Sequence, residues 1–451
     1  MAGGNFDPKQ SKERPGTYIN YESDRPESIP VSSRGTVLLP LFNHEYGPEK
    51  QFIAITNDSP DSAFNLLGYH IYDTVNLSML LIREAFKRAK TVIVYIPKQG
   101  AKAKATQGTL TATAKYGGNR GNDLKFSIAA NPSGGFDVFV YLKEMTIGEY
   151  EELETVADLI SQNNPFIDFA GTGELVAAAG VSLTGGIDGD PEISDIMDFL
   201  DKSEAVKWNT LAFPFESAGE PEDPLPALLE AVKTKIKYLR EGAGKYRKAA
   251  VPGLVADYEG IINVTNTVKL ANRELTIAQA TAWVAGADSG ATKTQSNTYE
   301  KYDGAVDIIG IKSHAEAVAA IKNGEFFFSF SEEGEVMVEY DINSLTTFKK
   351  PKDKSYRKNR VLRVYDTFAE TVMLNFPPNK FDNNDTGWDV MEGLGKSILK
   401  IFFDDGAIKN VDYDNDFKVD RINSIDDETY FIVGLEAVDS SEKLYFTIKT
   451  R

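Results

Sequence analysis

Hydrophobic and polar residues alternate close to the C-terminal end of the chain. Leu444, Phe446 and Ile448 fall on one side of this alternation, and Tyr445 and Thr447 fall on the other. A period of two is typical of a half-buried strand, whose backbone N–H and C=O groups must be paired in a sheet. The pattern therefore predicts a strand at 444–448.

A second short strand is predicted near the other end, at Thr17, Tyr18, Ile19, Asn20 and Tyr21. It follows a leader that has too few apolar residues to fold alone. Two terminal strands can pair with each other inside one subunit, or each can add to the sheet of a neighbouring copy. The residue pattern leaves both arrangements open.

Between these ends, strand-like and helix-like patterns succeed one another. A buried strand is predicted at 35–40, an amphipathic helix at 76–90 and another strand at 91–97, which together indicate α/β packing. After residue 98, short strands separated by Gly-rich turns predict a β-sandwich, with one helix near 146–163. The α/β alternation then returns, and a Lys- and Pro-rich linker at 348–354 leads into a C-terminal α+β part.

These changes of pattern predict a mixed α/β protein of several domains with extended N- and C-terminal arms. The 451 residues are enough for about three domains. The predicted division is an N-terminal arm at 1–25, an α/β segment packing with the core at 26–98, a β-sandwich insertion at 99–187, an α/β domain at 188–348, and a C-terminal domain at 349–451.

Composition narrows the class of protein. The chain has 0 cysteines, which excludes disulfides and thiolate chemistry. Its formal net charge of −18 disfavours binding to nucleic acid, which needs a basic surface. No apolar run approaches the ~20 residues that cross a membrane, and the N-terminus lacks a signal-peptide core. We therefore expect neither a nucleic-acid partner nor direct insertion into a membrane.

Candidate chemistry is weak along the whole sequence. Ser313-His314 is the only adjacent Ser/His pair, and no Gly-x-Ser-x-Gly elbow of a serine hydrolase occurs. Gly395-Lys396-Ser397 lacks the first glycine of a phosphate-binding loop. The alternating Asp412, Asp414 and Asp416 lack the glycine and the glutamate of a calcium-binding loop. We expect no catalytic residue, no cofactor and no metal site.

One basic cluster departs from the acidic composition. Its candidate functional members are Lys354, Arg357, Lys358, Arg360 and Arg363. Such a cluster either balances acidic neighbours within the fold or faces an acidic partner. An acidic protein surface is a better partner than nucleic acid, because the rest of the chain would repel phosphates.

Several blocks of sequence resemble contractile phage tail sheath proteins, in the same order along the chain. The most recognisable is Ala282-Trp283-Val284-Ala285-Gly286-Ala287-Asp288-Ser289-Gly290. The others lie at 14–20, 34–40, 183–189, 296–299, 304–307, 357–363 and 437–448. Each block is short, but the blocks are distributed along nearly the whole length of the chain. They are similar to sheaths of phages and phage-tail-like particles of Gram-positive hosts.

The resemblance implies an architecture. The core would be an α/β domain topologically like subtilisin but without its catalytic residues, and the β-sandwich would face outward. The C-terminal domain would face an inner tube, with the basic cluster as its contact, and would end in an exchanged strand. The resemblance also implies that both terminal strands pair with neighbouring copies.

The function implied is structural. The subunit would polymerise into stacked hexameric rings, a helical homopolymer around the inner tail tube, and contract to drive the tube through a cell envelope. Baseplate and tail-terminator proteins would be further partners, in a virion tail or phage-tail-like particle assembled in the bacterial host cytoplasm. Two alternatives are a sheath component of a related contractile injection or secretion system, and a hydrolase with a degenerate subtilisin-like core.

Overall fold

The structure is a computed structural model that describes residues 2–4, 16–18, 33–217, 219 and 223–450. The chain divides into two units. The larger unit comprises 33–370, 402–411 and 435–451. The smaller unit comprises 1–32, 371–401 and 412–434.

The strands are numbered along the chain. They are β1 Ala2–Gly4, β2 Gly16–Tyr18, β3 Thr36–Pro40, β4 Phe52–Thr56, β5 Thr91–Tyr95, β6 Lys104–Gln107, β7 Leu110–Ala114, β8 Leu124–Ala130, β9 Phe136–Leu142, β10 Met145–Leu153, β11 Ile167–Ala170, β12 Ala178–Ser182, β13 Thr210–Ala212, β14 Lys248–Pro252, β15 Ile261–Val264, β16 Thr267–Leu270, β17 Arg273–Glu274, β18 Ala305–Ile309, β19 Glu325–Phe326, β20 Phe328–Phe330, β21 Val336–Val338, β22 Phe417–Val419 and β23 Phe431–Val433.

The α-helices are numbered in the same way. They are α1 Phe64–Leu67, α2 Leu77–Phe86, α3 Val156–Ser161, α4 Ile193–Lys202, α5 Leu225–Lys237, α6 Ile277–Gly290, α7 His314–Lys322, α8 Asn359–Asn375 and α9 Asp385–Asp404. A short 3-10 helix at Lys354–Arg357 precedes α8. Among the described residues, no helix combines the length and apolar character that crossing a membrane requires.

A seven-stranded sheet organises the larger unit. Its strand order is β19-β15-β14-β13-β3-β5-β4. All neighbouring pairs are parallel except β4 with β5. The winding direction reverses between β3 and β13, since the chain places β5 on one side of β3 and the later strands on the other. In doubly wound folds such a reversal opens a crevice at the carboxyl ends of the strands.

Helices cover both faces of this sheet because its strands are apolar on both sides. In β3, Val37 and Leu39 join the core beneath α2 and α6. Leu38, between them, joins the core beneath α4 and α5. Alternate side chains of a strand point to opposite faces, so a continuous apolar run is what a doubly covered parallel strand requires. The α/β packing predicted from the sequence is present.

Helix α6 is buried almost all round. Thr276 caps its start by accepting a hydrogen bond from the backbone N–H of Gln279. Gly286 and Gly290 allow a close approach to α2 and to the residues just after it: a Cβ on Gly286 would lie 2.5 Å from the carbonyl oxygen of Ala85, and one on Gly290 would lie 1.9 Å from that of Arg88. Glycine at these two positions therefore sets the distance between the helices.

The β-sandwich consists of the sheets β10-β9-β8-β12 and β11-β7-β6 around their own hydrophobic core. The single helix predicted near 146–163 is wrong in its first half, where strand β10 pairs with β9. Its second half contains α3, which begins at a capping box formed by Thr155 and Asp158. The acidic run at 149–152 suggested helix, but pairing to β9 decides the structure.

The sandwich connects to the rest of the larger unit through two adjacent segments. The backbone N–H of Ile187 donates to the carbonyl oxygen of Ala101 at 3.1 Å. A Cβ on Gly189 would lie 2.6 Å from the carbonyl oxygen of Lys98. The chain therefore enters and leaves the sandwich side by side.

In the smaller unit, β22 and β23 form an antiparallel pair. Phe417 of β22 stacks on Phe376 with ring centroids 5.7 Å apart, and it lies 5.6 Å from the ring of Phe431. Gly395 of α9 leaves room for the Phe417 ring, which a Cβ would meet at 2.1 Å. Gly395-Lys396-Ser397 thus lies within a helix and packs against this pair.

Candidate assembly site at the C-terminal segment

Backbone pairing holds the C-terminal segment up to Val438. The N–H of Val438 donates to the carbonyl oxygen of Ala407 at 2.9 Å, and the N–H of Lys409 donates to the carbonyl oxygen of Glu436 at 2.9 Å. The residues from 439 to 450 belong to no strand in the single chain. The paired part therefore ends several residues before the predicted terminal strand.

Glu442 fixes the base of the segment that follows. Its Oε1 accepts hydrogen bonds from the Ser296 hydroxyl at 2.8 Å and from the Thr298 hydroxyl at 2.7 Å. Its other oxygen forms an ion pair with Lys358, whose ammonium also lies 3.6 Å from Asp439 Oδ1. The side chains of Lys358 and Glu442 are 8% and 9% exposed. Among the described residues, this buried pair is the last ion pair before the exposed part of the segment.

Beyond Glu442 the predicted strand residues are open to solvent. The exposed fractions are 66% for Leu444, 90% for Tyr445, 82% for Phe446 and 85% for Ile448, and Thr447 is exposed as well. These residues form no strand, and the pairing predicted from their alternation is not made with any other residue that the structure describes. Its exchange with a neighbouring copy stays a prediction.

The N-terminal strand residues are described only in part. Thr17 and Tyr18 lie in β2, which pairs in parallel with β1 through Gly3 opposite Thr17 and Gly4 opposite Tyr18. Ile19, Asn20 and Tyr21 lie outside the described residues. Their exchange between subunits also stays a prediction.

The basic cluster is mostly built into the fold. Arg363 is 0% exposed, and Arg357 and Lys358 are buried as well. Arg360 is half-buried, and its guanidinium donates to the Ser440 hydroxyl. The burial of Arg357, Lys358 and Arg363 in the single chain departs from the fully exposed surface that the sequence suggested. Contact of the five residues with a tube stays a prediction.

Arg363 belongs to a buried network centred on Asp288. Its Nη1 donates to Asp288 Oδ1 and its Nη2 to Asp341 Oδ2, each at 2.8 Å. Asp288 also pairs with Lys248 and accepts from the Thr210 hydroxyl at 2.6 Å. The cluster thus balances acidic neighbours within the fold, which was one of the two alternatives that its sequence left open.

The buried acidic and basic side chains of this network favour each other's charged forms by mutual attraction. Burial opposes ionisation of Asp288, but Lys248, Arg363 and Arg34 outweigh it and hold the pKa of that carboxyl well below its usual range. Burial lowers the pKa of Lys248 to about 8, against the attraction of Asp288. Each ion therefore depends on the others to remain charged inside the protein.

Sequence reasoning missed Asp288 as the centre of this network. A signal was present, because Asp288 is the single charged residue in the otherwise apolar and small run from Ala282 to Gly290. A charge on a buried helix requires a buried partner. The partners Lys248 and Arg363 lie 40 and 75 positions away along the chain, and no local pattern identifies them.

The candidate catalytic residues have structural roles. Ser313 is the cap of α7: its side chain accepts from the backbone N–H of Glu316 at 3.4 Å. His314 is the first residue of that helix and is exposed. The side chain of Asp412 accepts hydrogen bonds from Asp414 and Asn415 of its own turn. Ser313 thus caps a helix, and Asp412 takes part in the hydrogen bonds of a turn.

A crevice lies where α/β enzymes place their active sites, at the carboxyl ends of β3 and β13. It measures about 330 Å³, and its polar lining includes Ser78, Asp190 and Glu216. Glu216 accepts hydrogen bonds from Thr276 and Gln279 at the start of α6. No histidine is among the described residues that line it. The crevice therefore has no Ser–His–carboxylate arrangement.

Comparison with known proteins agrees with the blocks of sequence noted above. Models of phage tail sheath domains match four consecutive segments: the domain III N-terminal region of tail sheath protein Gp18 at 34–95, the β-sandwich domain at 98–188, the central domain at 189–344 and the C-terminal domain at 351–451. Together these segments cover nearly all of the chain from residue 34 onward.

Whole-length relatives give the same result. The phage-like element PBSX protein XkdK of Bacillus subtilis (strain 168) is 35% identical over 484 residues, covering 100% of both chains. The sheath tail protein of Desulfitobacterium hafniense is 36% identical, with a TM-score of 0.81 over 96% of this chain and 99% of that chain. The contracted helical sheath of the anti-feeding prophage is 11% identical, with a TM-score of 0.54 over 98% of this chain and 100% of that chain, which shows a shared fold. The chain belongs to the phage tail sheath protein family and is a tail sheath subunit with the fold of contractile sheaths.

Proposed function

We propose that copies of this subunit polymerise around an inner tail tube and contract to drive the tube through a cell envelope. The observation that carries this proposal is the exposed segment at 444–448. It presents apolar side chains at alternate positions, yet it has no partner strand among the described residues. Such a segment is suited to completing a sheet in a neighbouring copy.

Strand exchange suits a polymer whose subunits must change their contacts without dissociating. Each added backbone hydrogen bond contributes roughly 0.5–1.5 kcal/mol. Burying Leu444, Phe446 and Ile448 adds roughly 1.5–3 kcal/mol for each side chain. The sum is several kcal/mol per strand, while the backbone after Glu442 can still bend. The subunits can therefore rotate and slide while the strands stay paired.

We propose the same role for the N-terminal residues 17–21. Of these, Thr17 and Tyr18 lie in the two-stranded sheet of β1 and β2. An isolated pair of strands is marginally stable in water, and added strands stabilise it. This supports an arm whose sheet is completed by other copies.

The test is to remove the apolar face of the C-terminal strand. The variant Leu444→Ser, Phe446→Ser, Ile448→Ser should remain folded but form no tubes in negative-stain electron microscopy and sediment as a monomer. The matched control Tyr445→Ser, Thr447→Ala, Lys449→Ser changes the other face and should form tubes. Deletion of 1–25 or 442–451 should also leave a folded monomer. Normal tubes from the apolar-face variant would reject strand exchange.

We also propose the finer features of the assembly. The subunits form stacked hexameric rings, and their partners are the inner tail tube, the baseplate and the tail terminator, in a virion tail or phage-tail-like particle assembled in the host cytoplasm. Family membership supports the particle, and the net charge of −18 supports protein rather than nucleic-acid partners. Cryo-electron microscopy of particles purified from the host would test each contact.

We infer a non-catalytic, subtilisin-like α/β domain at 188–348, preceded by the segments 26–98 and 99–187 and followed by the C-terminal domain at 349–451. The parallel sheet with helices on both faces supports this core, and the family matches at 98–188 and 189–344 support the division. The capping role of Ser313 supports a structural function. Hydrolysis that depends on Ser313 or His314 would contradict it.

A second candidate is the sheath of a contractile injection system. The fold shared with the anti-feeding prophage sheath favours this candidate. Electron micrographs of purified particles distinguish a virion tail from an injection system, because only the virion tail carries a head. The length of the striated tubes helps to distinguish a headless phage-tail-like particle from an injection system.

A further inference from the structure

A basic pocket lies beside the base of the C-terminal segment. It measures about 570 Å³ and is bounded by α7, by the 3-10 helix Lys354–Arg357 and by the first residues of the C-terminal segment. Its lining contains five basic side chains and one carboxylate: Lys322, Lys354, Arg357, Lys358 and Lys443 against Asp439. On a chain with a net charge of −18, this is a local excess of positive charge.

Arg357 is the unusual member of the pocket. The residue is 9% exposed, and its Nε and Nη2 atoms have no hydrogen-bond partner in the described part of the chain. A buried guanidinium without partners is unfavourable, whereas its planar donors match the two oxygens of a carboxylate. Burial also lowers the pKa of Arg357, so the site disfavours its charge until an anion binds. These contacts describe a donor group that is unpaired in the single chain.

The other basic residues add charge that the single chain does not neutralise. Lys358 is paired with Asp439 and Glu442, but Lys322, Lys354 and Lys443 make no ion pair within the part of the chain that the structure describes. Lys358 and Lys443 lie 4.5 and 6.0 Å from the centroid of the Tyr340 ring, which holds their ammonium groups at the pocket. The pocket therefore attracts an anionic group that brings more than one negative charge.

Polymerisation creates a need for such a site. Each copy carries 67 acidic residues against 49 basic ones, so neighbouring copies repel unless acidic surface meets local positive charge. We propose that this pocket binds a carboxylate-bearing segment of a second copy of the chain, with Arg357 as the carboxylate receptor. The proposal rests on the polymeric function, and it assigns Lys354 to a contact between subunits instead of a contact with the tube.

The first experiment follows polymerisation of the full-length protein without tube protein. Lys322→Glu, Lys354→Glu should slow tube formation at least tenfold in light scattering and weaken its dependence on salt. Lys207→Glu, at an exposed lysine away from the pocket, is the matched control and should have little effect. Polymerisation of the double variant at the control rate would overturn the proposal, and so would a defect that arises only when tube protein is added.

The second experiment separates the pocket from the polymeric function. A hexaglutamate peptide should bind the soluble subunit, and Arg357→Gln should weaken binding at least tenfold, while Arg357→Lys should restore only part of it. Tryptophan fluorescence confirms that each variant is folded. Absence of peptide binding would overturn the proposal. Complete displacement of the peptide by inorganic phosphate at equal charge would also overturn it, because the pocket would then be a site for free anions. Failure of the wild type to polymerise despite normal peptide binding would instead contradict the proposed function.

Discussion

Replacing Asp288 by asparagine should destabilise the larger unit strongly. The side chain keeps its shape and can still accept from the Thr210 hydroxyl, which lies 2.6 Å away. It loses the negative charge that pairs with Lys248 and with Arg363, and that lies 4.0 Å from Arg34. Three buried cations would then face a neutral amide, with Asp341 as the remaining carboxylate of the network.

The size of the effect follows from the burial of these groups. The side chains of Lys248 and Arg363 are 0% exposed and that of Asp288 is 2% exposed, so water cannot replace the lost charge. Removing one partner of a buried ion pair destabilises a protein by about 3–5 kcal/mol. For a unit of this size the melting temperature should fall by roughly 6–20 °C, at about 2–4 °C per kcal/mol. A loss of about 3–5 kcal/mol is a large part of the ~5–15 kcal/mol that stabilises a typical domain.

Urea unfolding followed by tryptophan fluorescence measures this change, since Trp283 is fully buried in the same helix as Asp288. Asp198→Asn is the matched control: its ion pair with Lys202 is exposed and should contribute about 0.3–0.5 kcal/mol. Adding Lys248→Met to Asp288→Asn should recover part of the stability, because it removes one unpaired cation.

The pH dependence provides an independent check. The pKa of Asp288 is lowered in the folded state, so its contribution to stability is present above the unfolded pKa near 3.8 and is lost as the pH falls towards the lower folded pKa. The Asp288→Asn variant should therefore lose less stability than the wild type below about pH 4. Equal destabilisation by Asp288→Asn and Asp198→Asn, or an unchanged acid dependence, would refute the role assigned to the network.

Further substitutions test other features of the fold. Gly290→Ala should destabilise the protein by about 1–3 kcal/mol in urea unfolding, because its Cβ would lie 1.9 Å from the carbonyl oxygen of Arg88, just after α2. Gly393→Ala in α9, where no atom lies within 4 Å of the new Cβ, should not be destabilising. Glu442→Ala should speed hydrogen exchange at 439–442 and weaken tube formation, whereas Glu442→Gln, which keeps an acceptor for the two hydroxyls, should have a smaller effect. Partial burial opposes the ionisation of Asp257, but hydrogen bonds from two threonines lower the pKa of its carboxyl group to about 2. The contribution of Asp257 to stability is therefore lost as the pH falls from about 4 towards 2. Asp257→Asn should remove that part of the acid dependence.

Local patterns were enough to predict the main elements of the fold. The strand predicted at 35–40, the strand predicted at 91–97 and the change to short strands after residue 98 all follow from periodicity and turn residues. These signals lie within a few residues of the structure they determine. Sequence reasoning works here because the interactions that decide these elements are local.

The errors lie where distant residues decide the structure. The stretch at 146–153 contains good helix formers, but it becomes strand β10 because β9 offers a pairing edge. The basic cluster has the composition of an exposed surface. Arg363 is nevertheless buried, because it forms ion pairs with Asp288 and Asp341 inside the fold. The unpaired Arg357 could not be found from sequence either, since the absence of a partner is a property of the packed chain.

The adjacent entry and exit of the β-sandwich have a consequence for engineering. Because the chain crosses into this insertion at Ala101 and returns at Ile187 across a single hydrogen bond, the two cut ends would be neighbours if residues 102–186 were excised. A foreign domain whose own termini lie close together could be spliced there, provided that it also covers Tyr46 and Phe64, which pack in the sandwich core. A tube built from such fusions would carry one guest domain per subunit at a regular spacing along its length.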